Sequence, residues 1–275
     1  TYALAHLNTF AKAPETRLAL LINLNENRLH GRVDGLAFAR MLISNLKTET
    51  EPLIISSSIA YLNEMALHGQ IAGSEELEES LLGLARKPGG KGCQQAAFRA
   101  LLGTFREQKS FTGLALGESD YTKMAYELAV RMPEKYEEIR ATQATRIQDP
   151  DRKREFNFIV RAVAPETETR DSLFRSLLIA GNRRIEPWVT QIVGYLNHPL
   201  RQQQAVKYIR PALQELQEVQ RTGDIFFPKN WISATLRGHN SPEAAQVVRQ
   251  FLEQHPDYPV LLKNKILQSA DHLYR

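Results

Sequence analysis

The chain has 275 residues, 43% of them hydrophobic and 24% charged, enough to bury a real core and too apolar a mixture for a disordered chain. Its 35 basic and 31 acidic residues leave a formal charge of +4. That excess is spread thinly and forms no basic stripe of the kind nucleic acid selects. Apolar runs such as Leu18 to Leu24 are broken by Asn or charge well before the roughly 20 residues a bilayer span needs.

The opening Thr1-Tyr2-Ala3 has neither an initiator Met nor a basic region leading into an apolar stretch. The expectation is that the chain is the C-terminal part of a longer protein, with any address signal elsewhere. The single cysteine, Cys93, excludes an internal disulfide and any multi-Cys metal site. Among Gln94, Ala96 and Phe98 it reads as a small packed residue rather than a nucleophile.

Helical periodicity punctuated by Pro and Gly dominates the chain. It predicts about fourteen helices, the first eight over 15–29, 34–47, 52–68, 74–86, 92–109, 119–131, 133–147 and 151–163. The remainder fall over 167–181, 186–196, 199–220, 228–237, 241–254 and 258–274. In the third, Ile55, Ile59, Leu62 and Ala66 recur on one face, Pro52 suits the first turn and Gly69 sits where a left-handed cap is wanted. Ser74, followed by Glu75 and Glu76, opens the fourth, which ends before the Gly-rich turn Lys87-Pro88-Gly89-Gly90. Asn240-Ser241-Pro242-Glu243 stands in helix-start order ahead of Val247, Val248, Phe251 and Leu252. No segment alternates with the period of two that a sheet requires.

The class is therefore all-α. Short loops make successive helices antiparallel neighbours, and about seven pairs in a row imply stacking into an α-α superhelix over a single domain, 1–275. No fixed-period repeat motif is visible.

Chemistry-bearing motifs are missing. The seven histidines, at 6, 30, 68, 198, 239, 255 and 272, are nowhere closer than sixteen residues, so no helix offers the His-Glu-x-x-His face of a zinc peptidase. Gly89-Gly90-Lys91-Gly92 follows helix rather than strand and fits neither a P-loop nor a dinucleotide fingerprint. The carboxylates Glu75, Glu76, Glu78 and Glu79, and Glu134, Glu137 and Glu138, read as solvated faces and N-terminal acids. An enzyme built on this chain alone, for instance one doing base-excision chemistry on a helical-repeat scaffold, would need cleft carboxylates that the sequence does not mark. Arg152, Lys153, Arg154 and Arg161 interleave with Asp149, Asp151 and Glu155, which predicts an ion-paired helix face rather than a nucleic-acid footprint.

The second half carries distinctive text. It runs through Asn182-Arg183-Arg184-Ile185-Glu186-Pro187-Trp188-Val189, Leu196-Asn197-His198-Pro199-Leu200 and Tyr208-Ile209-Arg210-Pro211-Ala212-Leu213. It continues through Gln220-Arg221-Thr222-Gly223-Asp224-Ile225-Phe226-Phe227-Pro228, Trp231 and Leu261-Leu262-Lys263-Asn264-Lys265-Ile266-Leu267-Gln268. This resembles the C-terminal helical domain of bacterial M1-family zinc aminopeptidases. Arg17-Leu18-Ala19-Leu20 and Glu49-Thr50-Glu51-Pro52 resemble it more loosely. The resemblance implies a horseshoe of HEAT- or armadillo-like helix pairs that packs on a thermolysin-like zinc domain upstream and closes its cleft over a peptide. Zinc, the zinc-bound water and the catalytic Glu would all belong to that upstream domain. No catalytic or metal-binding residue is carried over to this chain.

Read physically, Trp188, Trp231, Phe226 and Phe227 are packing groups at helix entries. Residues 221–228 form a turn in which Gly223 takes positive φ, Asp224 bonds nearby backbone and Pro228 opens the next helix. Arg183 and Arg184 stand at a helix end, where cations complement the dipole. If they face the cleft, they are the candidates to hold a peptide carboxylate or carbonyl. An apolar patch is expected along the edge that meets the neighbouring domain. The competing reading is a free-standing HEAT-like module whose concave face binds a protein partner.

Overall fold

The computed structural model describes residues 12–68, 75–86 and 116–275, with isolated positions 4, 6, 7 and 71. The expected helix over 92–109, the turn at 87–92, Cys93 and the cap at Gly69 lie outside the described residues. Among the described residues there are fourteen α-helices, several short 3-10 turns and no strand. The class is all-α, and contacts divide the chain into two compact units, Thr1–Leu116 and Gly117–Arg275.

In the first unit α1 (Pro14–Leu29), α2 (Gly35–Leu46) and α3 (Pro52–Leu67) pack against one another, and α4 (Glu75–Arg86) lies on α2. Leu21, Leu24, Phe38, Leu42, Ile55 and Leu62 are buried. Gly31, at φ 67°, ends α1: its N–H reaches Arg28 O and the next N–H, of Arg32, reaches Asn27 O, a Schellman closure that only a left-handed residue permits. Asp34 then caps α2 by accepting from the Ala37 N–H at 2.7 Å.

A buried ion pair ties α1 to the turn before α3. Arg17 donates to both Glu49 oxygens, from Nε at 3.2 Å and Nη2 at 2.9 Å, with side-chain exposures of 7% and 5%. Glu49 Oε1 also accepts the Thr50 and Glu51 N–H groups. Burial pushes its carboxyl up, but the Glu51 N–H, Arg17 and the Thr50 N–H together outweigh that and hold it below the ordinary range.

The second unit holds α5 (Glu118–Arg131), α6 (Tyr136–Arg146), α7 (Pro150–Ile159), α8 (Thr167–Leu177) and α9 (Glu186–Leu196). There follow α10 (Gln202–Gln214), α11 (Leu216–Thr222), α12 (Phe227–Leu236), α13 (Pro242–Gln254) and α14 (Val260–Ala270). Each helix packs on its successor or on one two or three further along, as in α7 on α9, α9 on α12, α10 on α13 and α12 on α14. One core runs from Tyr126 and Phe156 through Leu173, Ile192 and Ile209 to Trp231, Phe251 and Ile266. Trp231 is fully buried and its indole N–H donates to Ala212 O at 3.0 Å.

Several expected helices are shorter or split. The stretch 199–220 divides into a 3-10 turn (Pro199–Arg201), α10 and α11, with the break at Glu215. Pro211 lies inside α10 and supplies no N–H, which removes one rung and leaves this helix less able to run on. The ends expected at 163, 181 and 274 are 3-10 residues beyond shorter α-helices, as tight last turns commonly are, and Ile147 is extended backbone just past α6. The start at Ser241 holds: its hydroxyl accepts from the Ala244 N–H at 3.2 Å.

Two predictions test this frame. Replacing Arg17 by Met strands a buried carboxylate and is expected to cost about 3 kcal/mol in chemical denaturation, much of it recovered when Glu49 is changed to Leu as well. Because the Glu49 pKa is depressed by folding, its contribution is present at neutral pH and is lost as pH falls through the depressed value; the double variant is expected to lose that dependence. Gly238 lies against Asn197, and a Cβ there would land on the Asn197 carbonyl oxygen. Gly238→Ala is therefore expected to destabilise at or above the top of the ~1–3 kcal/mol range of overpacked sites, read as a fall in the denaturation midpoint.

Candidate functional site

The two arginines singled out from sequence lie in the first of three loops of the second unit that pack around α10 and α11. These are residues 178–185 after α8, residues 223–226 between α11 and α12, and residues 255–259 before α14. The first two are joined by side chains. Arg183 Nη1 donates to Leu177 O and to Glu215 Oε1, both at 2.9 Å, and Nη2 reaches Thr222 Oγ1 at 3.3 Å. In the third, Tyr258 donates to Leu213 O in α10, while Lys265, in α14, reaches Gln220 in α11 at 3.4 Å.

Arg183 is 3% exposed and its guanidinium stands 5.9 Å from the Trp231 ring centre. It satisfies a helix-end carbonyl and an acid inside the unit. Arg184, by contrast, is exposed. The structure thus separates the pair: one guanidinium is an internal staple, and the other is the one facing solvent.

A second link crosses the same end. The Asp224 N–H donates to Glu186 Oε1 at 2.9 Å, while Asp224 Oδ1 accepts the N–H groups of Phe226 and Phe227 at 2.7 and 2.8 Å. Those two backbone bonds hold the Asp224 carboxyl below its usual range. Glu186 is pushed up by partial burial, and the adjacent Asp224 charge adds to that shift. Gly223 between these groups has extended backbone, φ −105° and ψ 177°, rather than the expected positive φ. Space decides it instead: a Cβ would sit 2.5 Å from Phe227 Cδ1 and 2.9 Å from Val219 O.

These loops and the first turn of α14 present apolar groups outward. Ile179 is 62% exposed, Ile185 45%, Ile225 76%, Phe226 69%, Val260 70% and Leu261 76%. Trp231 and Phe227 are in the core and Trp188 is packed against it, as expected. Phe226 is not, because the Asp224 turn brings Phe227 inward and leaves its neighbour outside. Sequence offered one missed signal: Ile225 and Phe226 fall in a turn, off any periodic face.

Among the described residues no group of three or more His, Cys, Asp or Glu side chains could hold a metal ion, and no helix is long and apolar enough to cross a membrane. In the basic run, Arg154 pairs with Asp151 at 2.7 Å, as its spacing predicted, whereas Arg152 pairs with Glu118 on α5 at 3.0 Å, a partner the spacing did not mark. No protein-family model matches the chain, and no curated protein matches it either.

The Glu186 and Asp224 pair makes a pH prediction. Glu186 is raised by folding, so its favourable share is complete in acid and is lost as pH rises through the raised value. Glu186→Gln keeps an acceptor for the Asp224 N–H and removes the opposed charge. It is expected to raise the melting temperature at neutral pH and to leave it unchanged in acid, checked by thermal melts across that range.

Proposed function

We infer that this chain is a non-catalytic, C-terminal helical domain of an M1-type zinc aminopeptidase, which caps the cleft of an upstream catalytic domain and helps to select its peptides. The helix pairs would stack as a HEAT- or armadillo-like wall, and zinc with its acid-base partner would reside upstream. The observation that carries this reading is the loop end of the second unit. Six large apolar side chains are exposed there, four on loops whose polar groups are already spent internally and two, Val260 and Leu261, in the first turn of α14. Exposed apolar groups held on a rigid scaffold are what a docking surface needs, whereas scattered single ones are ordinary. The text over 182–189, 220–228 and 261–268 that resembles such domains includes four of the six, Ile185, Ile225, Phe226 and Leu261.

The same edge supports a second reading, a free-standing interaction module that binds a separate protein. The two differ in what the parent gene encodes. On the first reading the coding sequence ahead of Thr1 specifies His-Glu-x-x-His, and the complete protein cleaves an aminoacyl nitroanilide in a chelator-sensitive way while residues 1–275 alone do not. Chelator-sensitive cleavage by residues 1–275, or an upstream sequence without that motif, overturns it. Replacing Ile225 and Phe226 by Asp in the complete protein is expected to loosen the domain, seen as faster proteolysis between the two parts with little loss of stability in the isolated chain.

A further inference from the structure

Lys229, in the first turn of α12 and three positions after the exposed Phe226, lies half-buried where α12 packs on α14. Its amine donates to Ser269 Oγ on α14 at 2.9 Å. Ser269 Oγ in turn lies 3.1 Å from Ser233 Oγ, one turn further along α12. Ser269 is buried and Ser233 half-buried, so a lysine and two hydroxyls form a short polar chain between two helices. The amine has no ion pair among the described residues. Burial lowers its pKa, and no neighbouring charge contributes to that shift.

An ammonium drawn out of water with no carboxylate to face is costly, and a lysine so placed gives up its proton more readily than a solvated one. The neutral amine is the nucleophilic form. Ser269 fixes where that amine stands, and the Ser233 hydroxyl beside it extends a path for the proton that nitrogen sheds. Lys265 stands four residues before Ser269, on the same face of α14. Its amine reaches only the neutral Gln220 among the described residues, which leaves a cation free to attract an anionic reagent.

We propose that Lys229 is a modification site, at which the chain takes a small acyl group from an acyl phosphate. The amine lone pair attacks the acyl carbon and a C–N bond forms. The bond from that carbon to the phosphate oxygen breaks, phosphate leaves with the electron pair, and the proton shed by nitrogen ends on phosphate by way of the hydroxyls or water. The product suits the site, because the amide keeps one N–H for Ser269 and the uncompensated charge is gone. Losing that charge one turn past Phe226 also makes the exposed edge more apolar. The assignment does not rest on the aminopeptidase reading, since every group it uses lies in the second unit of this chain.

The test is brief exposure of the intact chain to limiting acetyl phosphate at neutral pH, with the acetylated fraction of each lysine read by peptide mass spectrometry. Lys229 is expected to react severalfold faster than the exposed Lys135 and Lys153, and to lose that lead in urea, where the helices no longer hold the amine. Ser269→Ala frees the amine to swing into solvent and is expected to bring its rate down to theirs, while Ser269→Thr restores most of the lead. Lys265→Gln is expected to slow the reaction of Lys229 with acetyl phosphate severalfold and to leave its rate with the uncharged N-acetylimidazole unchanged. Equal rates at Lys229 and the exposed lysines, a lead that survives in urea or in Ser269→Ala, or a Lys265→Gln variant as fast as the parent with acetyl phosphate each overturns the proposal.

Discussion

A helix that ends inside a protein leaves its last carbonyls without donors, and short connections give the chain few N–H groups to offer them. In the second unit arginine side chains meet that need. Arg170 donates to Ala164 O and Pro165 O at 2.6 and 2.7 Å, Arg201 to Val163 O and Ala164 O at 3.0 and 3.2 Å, and Arg183 to Leu177 O. Each guanidinium reaches a loop from a neighbouring turn or helix, and its planar fork serves two acceptors at once. The cost is visible in Arg201, whose pKa burial and the nearby Arg170 charge push down to about 10. Without these donors the tight loops that let the helices pack would carry buried, unsatisfied carbonyls.

The same logic orders the polar groups between helices. Glu127 meets Arg131 at 2.5 Å and His198 at 3.3 Å. Burial raises its carboxyl, but the His198 hydrogen bond and the neighbouring Arg131 guanidinium hold it low. The other ring nitrogen of His198 accepts the Leu200 N–H, so one imidazole bridges α5 to the turn that starts α10. Asn197, fully buried, donates to Val193 O and accepts from His239 at 2.9 Å. Histidines that spacing showed to be useless for a zinc peptidase motif are thus employed as connectors between layers.

This economy shapes the functional reading. Because Arg183, Glu186, Asp224 and Glu215 are engaged with one another or with backbone, the loop end of the second unit has little polar chemistry left to present except Arg184. What it exposes is Ile and Phe on loops that internal bonds hold in place, with Val260 and Leu261 in the first turn of α14.

Sequence alone determined the all-α class and most helix starts. Those depend on local chemistry: Pro52, Pro150, Pro187 and Pro242 in first turns, Ser241 as a cap, and apolar residues at helical spacing. It also marked the Asp224 turn and the Asp151–Arg154 pair, because both are settled within a few residues. What lay between distant segments was not legible. Nothing in Arg183-Arg184 tells which guanidinium turns inward, since Glu215 and Thr222 lie more than thirty positions away. Nothing in Ile225-Phe226-Phe227 tells which ring is buried until α9 and α12 meet. Side-chain direction and the matching of charges are decided by which surfaces come together, and that is a property of tertiary packing rather than of any short stretch of chain.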